Sequence, residues 1–291
     1  MNQTHADGIT VEKNISYLGP TRSEKMDVYF PGPEFKRPLP VVIWIHGGGW
    51  KVGDKAEKRE VNICKALAEQ GYAAVSFNYK LGHFPKQAAD ASQEESSGSA
   101  ADPEIEIPWP QNIYDCKSAL RYVRKESSRL GIDPHRIAVS GGSAGGHLAL
   151  LVGLSADFPE MNAGGLYVEQ DNHVSCIIDL YGVCDIMASR HARHFAGATP
   201  EQTTANLKAA SPSTYLSKAT PPILILHGDK DGSVPIRYSR DFVKLLELKG
   251  VRYEFVEVPG APHSFDFQPK EMDLRPIVFK FLEKNLIPSS P

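Results

Sequence analysis

The 291-residue sequence predicts an α/β fold, in which helices cover both faces of a mostly parallel central sheet and an antiparallel hairpin precedes it. Three observations predict this class. Apolar, strand-forming runs alternate with helical segments from residue 41 onward, and parallel strands need such crossovers. The first run, VVIWIH at 41–46, is apolar almost throughout, which is typical of a strand buried on both faces. Two alternating segments, 11–18 and 25–30, flank Gly19-Pro20 and predict the hairpin.

Composition and charge limit the classes of protein that this chain can form. With 41% hydrophobic and 23% charged residues it is ordinary for a globular protein, and we expect one domain over residues 1–291. The net charge of −3 gives no reason to expect a nucleic acid or an anionic membrane as partner. No apolar run approaches the ~20 residues of a membrane span. The amino-terminal segment lacks the basic and apolar parts of a signal peptide, so we expect a soluble protein, either cytoplasmic or secreted with its signal already removed.

The predicted elements follow the same alternation along the chain. Three of the helices end at a glycine, at Gly71, Gly131 and Gly250, because glycine adopts the left-handed conformation that closes a helix. Strands are predicted at 41–46, 72–79, 137–139, 174–182, 223–228 and 253–258, and helices at 55–70, 113–130, 144–151, 238–249 and 275–286. The cysteines lack metal-type spacing and are expected to be free thiols: Cys64, Cys116, Cys176 and Cys184.

Two segments depart from this alternation. Residues 88–108 carry six acidic residues, four serines and no Lys or Arg, which predicts a solvated insertion loop. Residues 183–218 are irregular with short helical pieces, which predicts a cap. Ligands of open parallel sheets bind at the carboxyl ends of the strands, so the loops at those ends are where functional residues are expected.

The stretch 137–151, IAVSGGSAGGHLALL, predicts a strand, a sharp turn and a helix, with Ser143 at the turn. A nucleophilic serine needs a strained turn, and Gly141 and Gly145 have no side chain to clash there. The helix begins directly after the serine, so its first N–H groups point toward the reacting centre. A glycine-rich turn with an incidental serine is the alternative, and the flanking strand and helix favour the nucleophile.

Two later loops supply the partners that a serine nucleophile requires. One strand-end loop contains Asp229 and Asp231, and the next contains His263. A histidine can accept the serine proton, and a carboxylate can fix the tautomer of that histidine. We predict Ser143, Asp231 and His263 as a catalytic triad. Asp229 stays an alternative for the acid, since sequence does not settle a two-residue shift within a loop.

The loop after the first central strand, HGGGW at 46–50, is suited to bind an oxyanion. Acyl transfer needs backbone N–H groups aimed at the developing negative charge, and consecutive glycines let the backbone approach it closely. We predict the N–H groups of Gly47, Gly48 and Ala144 as the oxyanion hole. The alternative is a glycine-rich turn without a task.

The chain is similar to α/β-hydrolase esterases of the hormone-sensitive-lipase-like kind. Four motifs taken together carry this resemblance: HGGGW, GGSAGGH, HGDKDGSVP and GAPHSF. The chain most resembles the branch that includes bacterial feruloyl and acetyl-xylan esterases. The resemblance covers about residues 13–287 and implies the α/β-hydrolase fold, the triad and the oxyanion hole named above. The 88–108 insertion has no counterpart in these motifs, and 183–218 carries no usable signature, which leaves the substrate open.

Several residues near strand ends are candidates for the substrate pocket, because loop residues there carry function more often than core residues do. For the tryptophan of HGGGW, lining the pocket and packing the loop are equally favoured. The candidates are Trp50, Trp109, Tyr181 and Asp185.

Three further histidines are expected to lie outside the chemistry. His147 belongs to the apolar helix after Ser143 and is predicted to be structural. His191 and His194 have a spacing that could suit a metal, but no third ligand is near, so a solvated surface is favoured. We therefore predict no metal site and no cofactor.

The predicted function is a serine esterase that cleaves carboxylic esters through an acyl-enzyme. We expect short-acyl esters, or acetyl or hydroxycinnamoyl esters of plant polysaccharides, so the partner is a small-molecule or oligosaccharide ester. An amide or peptide hydrolase, similar to kynurenine formamidase or prolyl peptidases, is the alternative because the same triad serves it. A non-catalytic binding protein on this fold typically lacks a triad member, and all three are present.

Overall fold

The computed structural model describes residues 3–4, 8–83, 106–187 and 189–286. Within these residues nine strands form one sheet. The strands are β1 (Gln3–Thr4), β2 (Thr10–Ile15), β3 (Met26–Phe30), β4 (Leu39–Ile45), β5 (Ala73–Phe77), β6 (Ile132–Gly142), β7 (Cys176–Leu180), β8 (Ile223–Gly228) and β9 (Tyr253–Val258). The helices are α1 (Lys58–Glu69), α2 (Gln111–Lys125), α3 (Ser127–Leu130), α4 (Ala144–Leu154), α5 (Pro159–Asn162), α6 (Pro200–Ala209), α7 (Arg237–Lys249) and α8 (Arg275–Leu286), with 3-10 helices at Ala192–Phe195 and Pro212–Tyr215.

The sheet has the strand order β1-β2-β3-β5-β4-β6-β7-β8-β9. The pairs β1-β2, β2-β3 and β3-β5 are antiparallel, and all pairs from β5-β4 to β8-β9 are parallel. This is the α/β-hydrolase architecture, and the predicted mostly parallel sheet with an antiparallel amino-terminal side is confirmed. The carboxyl ends of β4, β6, β8 and β9 lie at one edge, so the loops that follow them meet there.

Alternating side chains of β4 separate the two layers of the core. Val41, Ile43 and Ile45 face one layer, and Val42 and Trp44 face the other. Helices α2, α4 and α7 pack on the first face, and α1 and α8 pack on the second. Helix α4 is buried along its whole length because most of its residues are apolar. The buried helix fixes the turn that precedes it.

Several element boundaries differ from the prediction where backbone geometry, rather than hydrophobic pattern, ends the element. The predicted helix 113–130 is two helices, α2 and α3, because the chain leaves helical geometry at Glu126 (φ −89°, ψ 13°). Helix α1 begins at Lys58 instead of residue 55. Strand β6 begins at Ile132 instead of residue 137, since Ile132 already pairs with Leu39 of β4.

The structure describes the two segments predicted to be irregular, 88–108 and 183–218, to different extents. Most of the predicted insertion 88–108 lies outside the described residues. Glu106, in its described part, forms an antiparallel bridge with His83, in which the Glu106 N–H donates to the His83 carbonyl at 2.8 Å and the His83 N–H to the Glu106 carbonyl at 2.9 Å. The predicted cap 183–218 contains α6 and both 3-10 helices.

Two smaller features complete the fold. All four cysteines are buried free thiols, which confirms the prediction. Among the described residues, helices fall short of the length and apolar character that crossing a membrane requires.

Candidate active site

Ser143 stands on a turn between the last residue of β6 and the first residue of α4. Its backbone has φ 58° and ψ −120°, a conformation that L-residues rarely adopt. Gly145 lies so close to β4 that a Cβ there would meet the Ile45 carbonyl oxygen at 2.0 Å. A Cβ on Gly141 would meet the Gly145 backbone at 2.4 Å. Both glycines are therefore required by close packing of the turn, as the sequence predicts.

A continuous chain of hydrogen bonds joins Ser143, His263 and Asp231. Ser143 Oγ lies 2.9 Å from His263 Nε2, and His263 Nδ1 lies 2.6 Å from Asp231 Oδ2. The carboxylate only accepts, so Nδ1 carries the proton and Nε2 accepts from the serine hydroxyl. Asp229 instead accepts the Gly260 N–H at 2.7 Å. Of the two aspartates, the structure therefore brings Asp231 to the histidine.

The Asp231 carboxylate is held at both oxygens. Oδ1 accepts the N–H groups of Ser233 and Val234, each at 2.8 Å. Oδ2 accepts from His263 and lies 3.3 Å from Nε2 of a second histidine, His227. Burial acts to raise the pKa of Asp231, but the hydrogen bonds from His227, His263 and Val234 prevail and hold the pKa well below its usual range. Asp231 is thus held in its ionised form near neutral pH.

The loop 46–50 lies against the serine turn. A Cβ on Gly47 would lie 2.9 Å from the Gly142 carbonyl oxygen and 3.4 Å from Ser143 Cβ, so only glycine fits here. Gly48 has φ 108° and a Cβ there would meet the Val52 carbonyl oxygen at 1.9 Å. Within the described part of the chain, the N–H groups of Gly47 and Gly48 form no hydrogen bond. Ala144 is the first residue of α4, whose first-turn N–H groups lack intrahelical acceptors.

His46 fixes the start of this loop. Its ring stacks on Tyr79 with centroids 4.4 Å apart and planes at 18°. The Tyr79 hydroxyl donates to the His46 carbonyl at 2.9 Å, and His46 Nδ1 donates to the Gly47 carbonyl at 2.7 Å. Burial lowers the pKa of His46, so the ring is neutral and packs as an uncharged group.

Trp50 packs the loop and does not line an open pocket, which corrects one of the two options left by the sequence. Only 1% of its surface is exposed. Its Nε1–H donates to His147 Nδ1 at 3.2 Å, and its ring meets Phe195 of the cap edge-on at 5.1 Å. The structural interpretation of His147 agrees with this arrangement, because its Nε2 donates to the Ala210 carbonyl at 2.7 Å and burial lowers its pKa to about 4.

The two cap histidines also lie against Trp50. Ring centroids of His191 and His194 are 5.8 and 5.7 Å from the Trp50 ring. His194 is buried, with 3% of its surface exposed, so the predicted solvated position is wrong for this residue. The reason is that the 3-10 helix Ala192–Phe195 rests on the tryptophan.

Tyr181 is buried and is not a wall of an open pocket, a second correction. Its hydroxyl donates to the Phe265 carbonyl, and its ring meets the His263 ring edge-on at 4.8 Å. Its position therefore supports the loop that carries His263. Asp185 accepts the Met187 N–H at 2.8 Å and the Ser211 hydroxyl at 3.1 Å, which fastens the two ends of the cap segment.

Trp109 is half-buried and meets the Phe195 ring edge-on at 5.6 Å. It therefore shares a cap contact with Trp50, and part of its surface remains open to solvent. Of the three aromatic pocket candidates, this partly exposed ring retains the surface that a substrate contact requires.

Sequence reasoning missed two charged or titratable residues at the site. Arg59 Nη2 lies 3.5 Å from the Cβ position of Gly47, and Arg59 binds the buried Glu60 through Nε at 2.9 Å and Nη2 at 2.6 Å. Its helical position gives no sign of this placement. His227 lies in the HGDKDGSVP motif, so the motif itself was the signal that could have identified it.

Comparison with known proteins decides the family. The BD-FAE family model matches residues 26–94 and 103–246, a span that includes Ser143 and Asp231. This chain belongs to the BD-FAE family. The family-level resemblance inferred from the four motifs is thereby confirmed.

Relatives of this BD-FAE chain include several proteins named as esterases. "Probable carboxylic ester hydrolase LipM" of Mycobacterium tuberculosis is 31% identical over 265 residues, which are 87% of this chain and 56% of that protein. "Esterase LipQ" of the same organism is 32% identical over 240 residues, 79% of this chain and 51% of the relative. The chain thus spans a little over half the length of these relatives. A solved structure described as a truncated carbohydrate esterase from gut microbiota has a TM-score of 0.79 at 24% identity and covers 97% of this chain and 98% of its own, which shows the shared fold.

Proposed function

We propose that this BD-FAE family member is a serine esterase that hydrolyses carboxylic esters through an acyl-enzyme. The hydrogen-bonded chain from Ser143 Oγ through His263 to Asp231 carries the proposal. Its two links, 2.9 and 2.6 Å, are within the distances that general-base activation of a serine needs. The family membership and the relatives named as esterases support the same reaction.

In the first half-reaction, Ser143 Oγ attacks the ester carbonyl carbon while His263 Nε2 takes the hydroxyl proton. Asp231 stabilises the resulting imidazolium and keeps Nδ1 protonated. The tetrahedral intermediate collapses, the C–O bond to the alcohol breaks, and Nε2 returns the proton to the leaving oxygen. A water molecule then repeats the sequence on the acyl-enzyme, with Nε2 again as base, and releases the carboxylic acid.

The negative oxygen of each intermediate needs donors that are already in place. The N–H groups of Gly47 and Gly48 form no bond to the described residues, and they lie in the loop that packs on the serine turn. The Ala144 N–H follows the nucleophile directly and belongs to the positive end of α4. We assign these three groups as the oxyanion hole.

For the substrate we propose short-acyl esters and acetyl or hydroxycinnamoyl esters of plant polysaccharides. The resemblance to the branch with feruloyl and acetyl-xylan esterases and the likeness to a carbohydrate esterase structure support this class. The half-buried Trp109 supports an aromatic contact. Trp50 and Tyr181 are buried, so we assign them to the packing of the loops that contain Gly47, Gly48 and His263.

A substrate panel tests the proposal. The purified protein is assayed with p-nitrophenyl acetate, butyrate and octanoate, methyl ferulate, acetylated xylan and an acyl p-nitroanilide. We expect hydrolysis of the acetate and butyrate esters, of methyl ferulate or of acetylated xylan, and a much slower reaction of the anilide. Hydrolysis of the anilide alone would replace the esterase by an amide hydrolase.

A further inference from the structure

A second histidine lies behind the triad. His227 belongs to the end of β8 and is fully buried. Its Nε2 lies 2.8 Å from the Val234 carbonyl oxygen and 3.3 Å from Asp231 Oδ2, the same carboxylate oxygen that His263 contacts. Its Nδ1 lies 2.7 Å from the hydroxyl of Ser239, which is also fully buried in α7. One carboxylate therefore faces two imidazoles.

The partners of His227 determine where its proton lies. A carbonyl and a carboxylate both only accept, so Nε2 carries a hydrogen, which it donates to the Val234 carbonyl at 2.8 Å while it faces Asp231 Oδ2 at the longer distance of 3.3 Å. Ser239 can donate to an unprotonated Nδ1. The imidazole thus bridges α7 and the loop of the acidic residue, and it presents a fixed N–H to Oδ2.

The His227 N–H lies at the oxygen of Asp231 that no backbone N–H contacts in the described structure. Oδ1 is held by two backbone donors, the N–H groups of Ser233 and Val234. Among the described residues, the other group that donates a hydrogen bond to Oδ2 is His263, which must itself move protons during the reaction. The His227 N–H, with its nitrogen 3.3 Å from Oδ2, therefore places a positive partial charge beside this oxygen on a residue that takes no part in proton transfer.

Other ionisable groups surround the pair. The carboxyl groups of Asp179 in β7 and Glu257 in β9 interact electrostatically with His227. On the other side, Tyr181 meets the His263 ring edge-on, and the cap residue His191 acts on His263 through space. Substitution of His227 leaves all four in place, so a change in the pH profile of kcat/KM reports the lost contact with Asp231.

We propose that His227 is a positioning residue of the reaction: its Nε2–H orients the Asp231 carboxylate for His263 and withdraws charge from Oδ2, while Ser239 holds the imidazole. This inference rests on the proposed esterase function. Without the N–H, more negative charge on Oδ2 faces the His263 imidazolium and stabilises the protonated ring. The acid limb of the pH profile of kcat/KM then moves to higher pH, and kcat falls because Oδ2 is less well oriented.

Two amide variants of His227 distinguish the contacts of its Nε2 from the contact of its Nδ1. In His227→Gln, the amide nitrogen occupies the position of Nε2 and can reach Asp231 and Val234. In His227→Asn, the amide is shorter, matches the position of Nδ1 and can reach only Ser239. Both variants place an uncharged amide in the same buried site, so they are matched for polarity and for loss of the ring.

The test is the pH profile of kcat/KM and of kcat for p-nitrophenyl acetate. We expect His227→Asn to lose about 10–100-fold in kcat, the range found when outer partners that orient metal-binding groups are removed, with KM little changed. Its acid limb moves to higher pH, and His227→Gln keeps the parent limb and most of kcat. Indistinguishable variants, or the reverse order, would overturn the proposal and leave His227 a packing residue.

A second measurement uses the unsubstituted protein, so it does not depend on the stability of a variant. Phosphonylation of Ser143 replaces the hydroxyl that contacts His263 Nε2 and so alters the bond from His263 to Oδ2. We expect the nitrogen and proton resonances of His227 Nε2–H to shift on labelling, and an unchanged resonance would contradict a shared carboxylate. A parent protein that hydrolyses no ester and takes no label would refute the esterase function instead, which distinguishes the two failures.

Discussion

Trp50 Nε1 donates to His147 Nδ1 at 3.2 Å, and the two rings meet at a right angle with centroids 5.2 Å apart. This one contact joins the glycine loop to the helix that follows the proposed nucleophile. His147 continues the connection to the Ala210 carbonyl at the end of α6. Three segments that are distant in sequence are thus fastened at one buried point, close to where the oxyanion would form.

Truncation of Trp50 should therefore reduce stability before it alters specificity. We expect Trp50→Ala to lower the free energy of unfolding by about 3–5 kcal/mol through the cavity it leaves. Trp50→Phe keeps most of the ring and should cost about 1–2 kcal/mol, mainly for the lost hydrogen bond. Urea unfolding of both variants measures the difference. An alanine variant as stable as the parent would contradict the buried position.

The two aspartates of the HGDKDGSVP loop should behave differently. Asp231→Asn should lower kcat by about 10⁴, because the amide favours the wrong tautomer of His263. Asp229→Asn is the matched control, since Asp229 accepts only the Gly260 N–H among the described residues. Steady-state kinetics of both variants give the comparison. If the larger loss came from the Asp229 variant, the acid of the triad would be wrong.

Trp109 should affect bulky aromatic esters more than small ones. We expect Trp109→Ala to weaken transition-state binding of methyl ferulate by about 1–3 kcal/mol relative to p-nitrophenyl acetate, since the half-buried ring offers an apolar contact. Trp109→Phe retains an aromatic ring and serves as control. Equal losses on both esters would mean that the ring supports Phe195 and forms no part of the pocket.

The stability of the protein should depend on pH through Lys117. This lysine is fully buried in α2, and its Nζ donates to the Ser155 carbonyl at 3.1 Å and to Asn162 Oδ1 at 2.6 Å. Burial, with a smaller effect of Arg121, lowers its pKa from 10.5 to about 7. Between these values the unfolded chain binds more protons than the folded protein. The contribution of Lys117 to the free energy of unfolding should therefore rise with pH there, by at most about 1.4 kcal/mol per pH unit. The buried thiols, whose pKa burial raises, act in the opposite direction above about pH 8.5, so the contribution of Lys117 is read as the difference in slope between the parent and a lysine variant.

Lys117→Met should remove this rise, because it has no proton to lose. Urea unfolding at several pH values above 7 measures the slope for the parent and for the variant. Lys125→Met, on the exposed side of the same helix, is the control and should keep the parent slope. A slope unchanged in the Lys117 variant would show that this amine stays charged when folded.

The local sequence was sufficient to predict the fold and those catalytic residues that lie in loops directly after predicted strands. The serine turn lies between β6 and α4, and Asp231 and His263 lie in the loops after β8 and β9, so the fold and the candidate triad could both be predicted. The choice between Asp229 and Asp231 required coordinates, because both belong to one loop and only one side chain turns toward the histidine.

Burial of the aromatic residues could not be predicted, because their partners are remote in the chain. Trp50 bonds to a residue 97 positions away, and Tyr181 bonds to one 84 positions away. A strand-end aromatic has the same local sequence whether it faces a pocket or the cap. His227 was overlooked for a related reason: its partner Ser239 belongs to α7, which returns to the end of β8 only in the folded chain.

The most direct test of the central claim is covalent labelling of the nucleophile. The parent protein is treated with a fluorophosphonate, and the modified peptide is mapped by mass spectrometry alongside Ser143→Ala. We expect the label on Ser143 only, and a loss of about 10⁶ in kcat for the alanine variant, which should unfold at the same urea concentration as the parent. A label on another serine, or an active Ser143→Ala protein, would contradict the account.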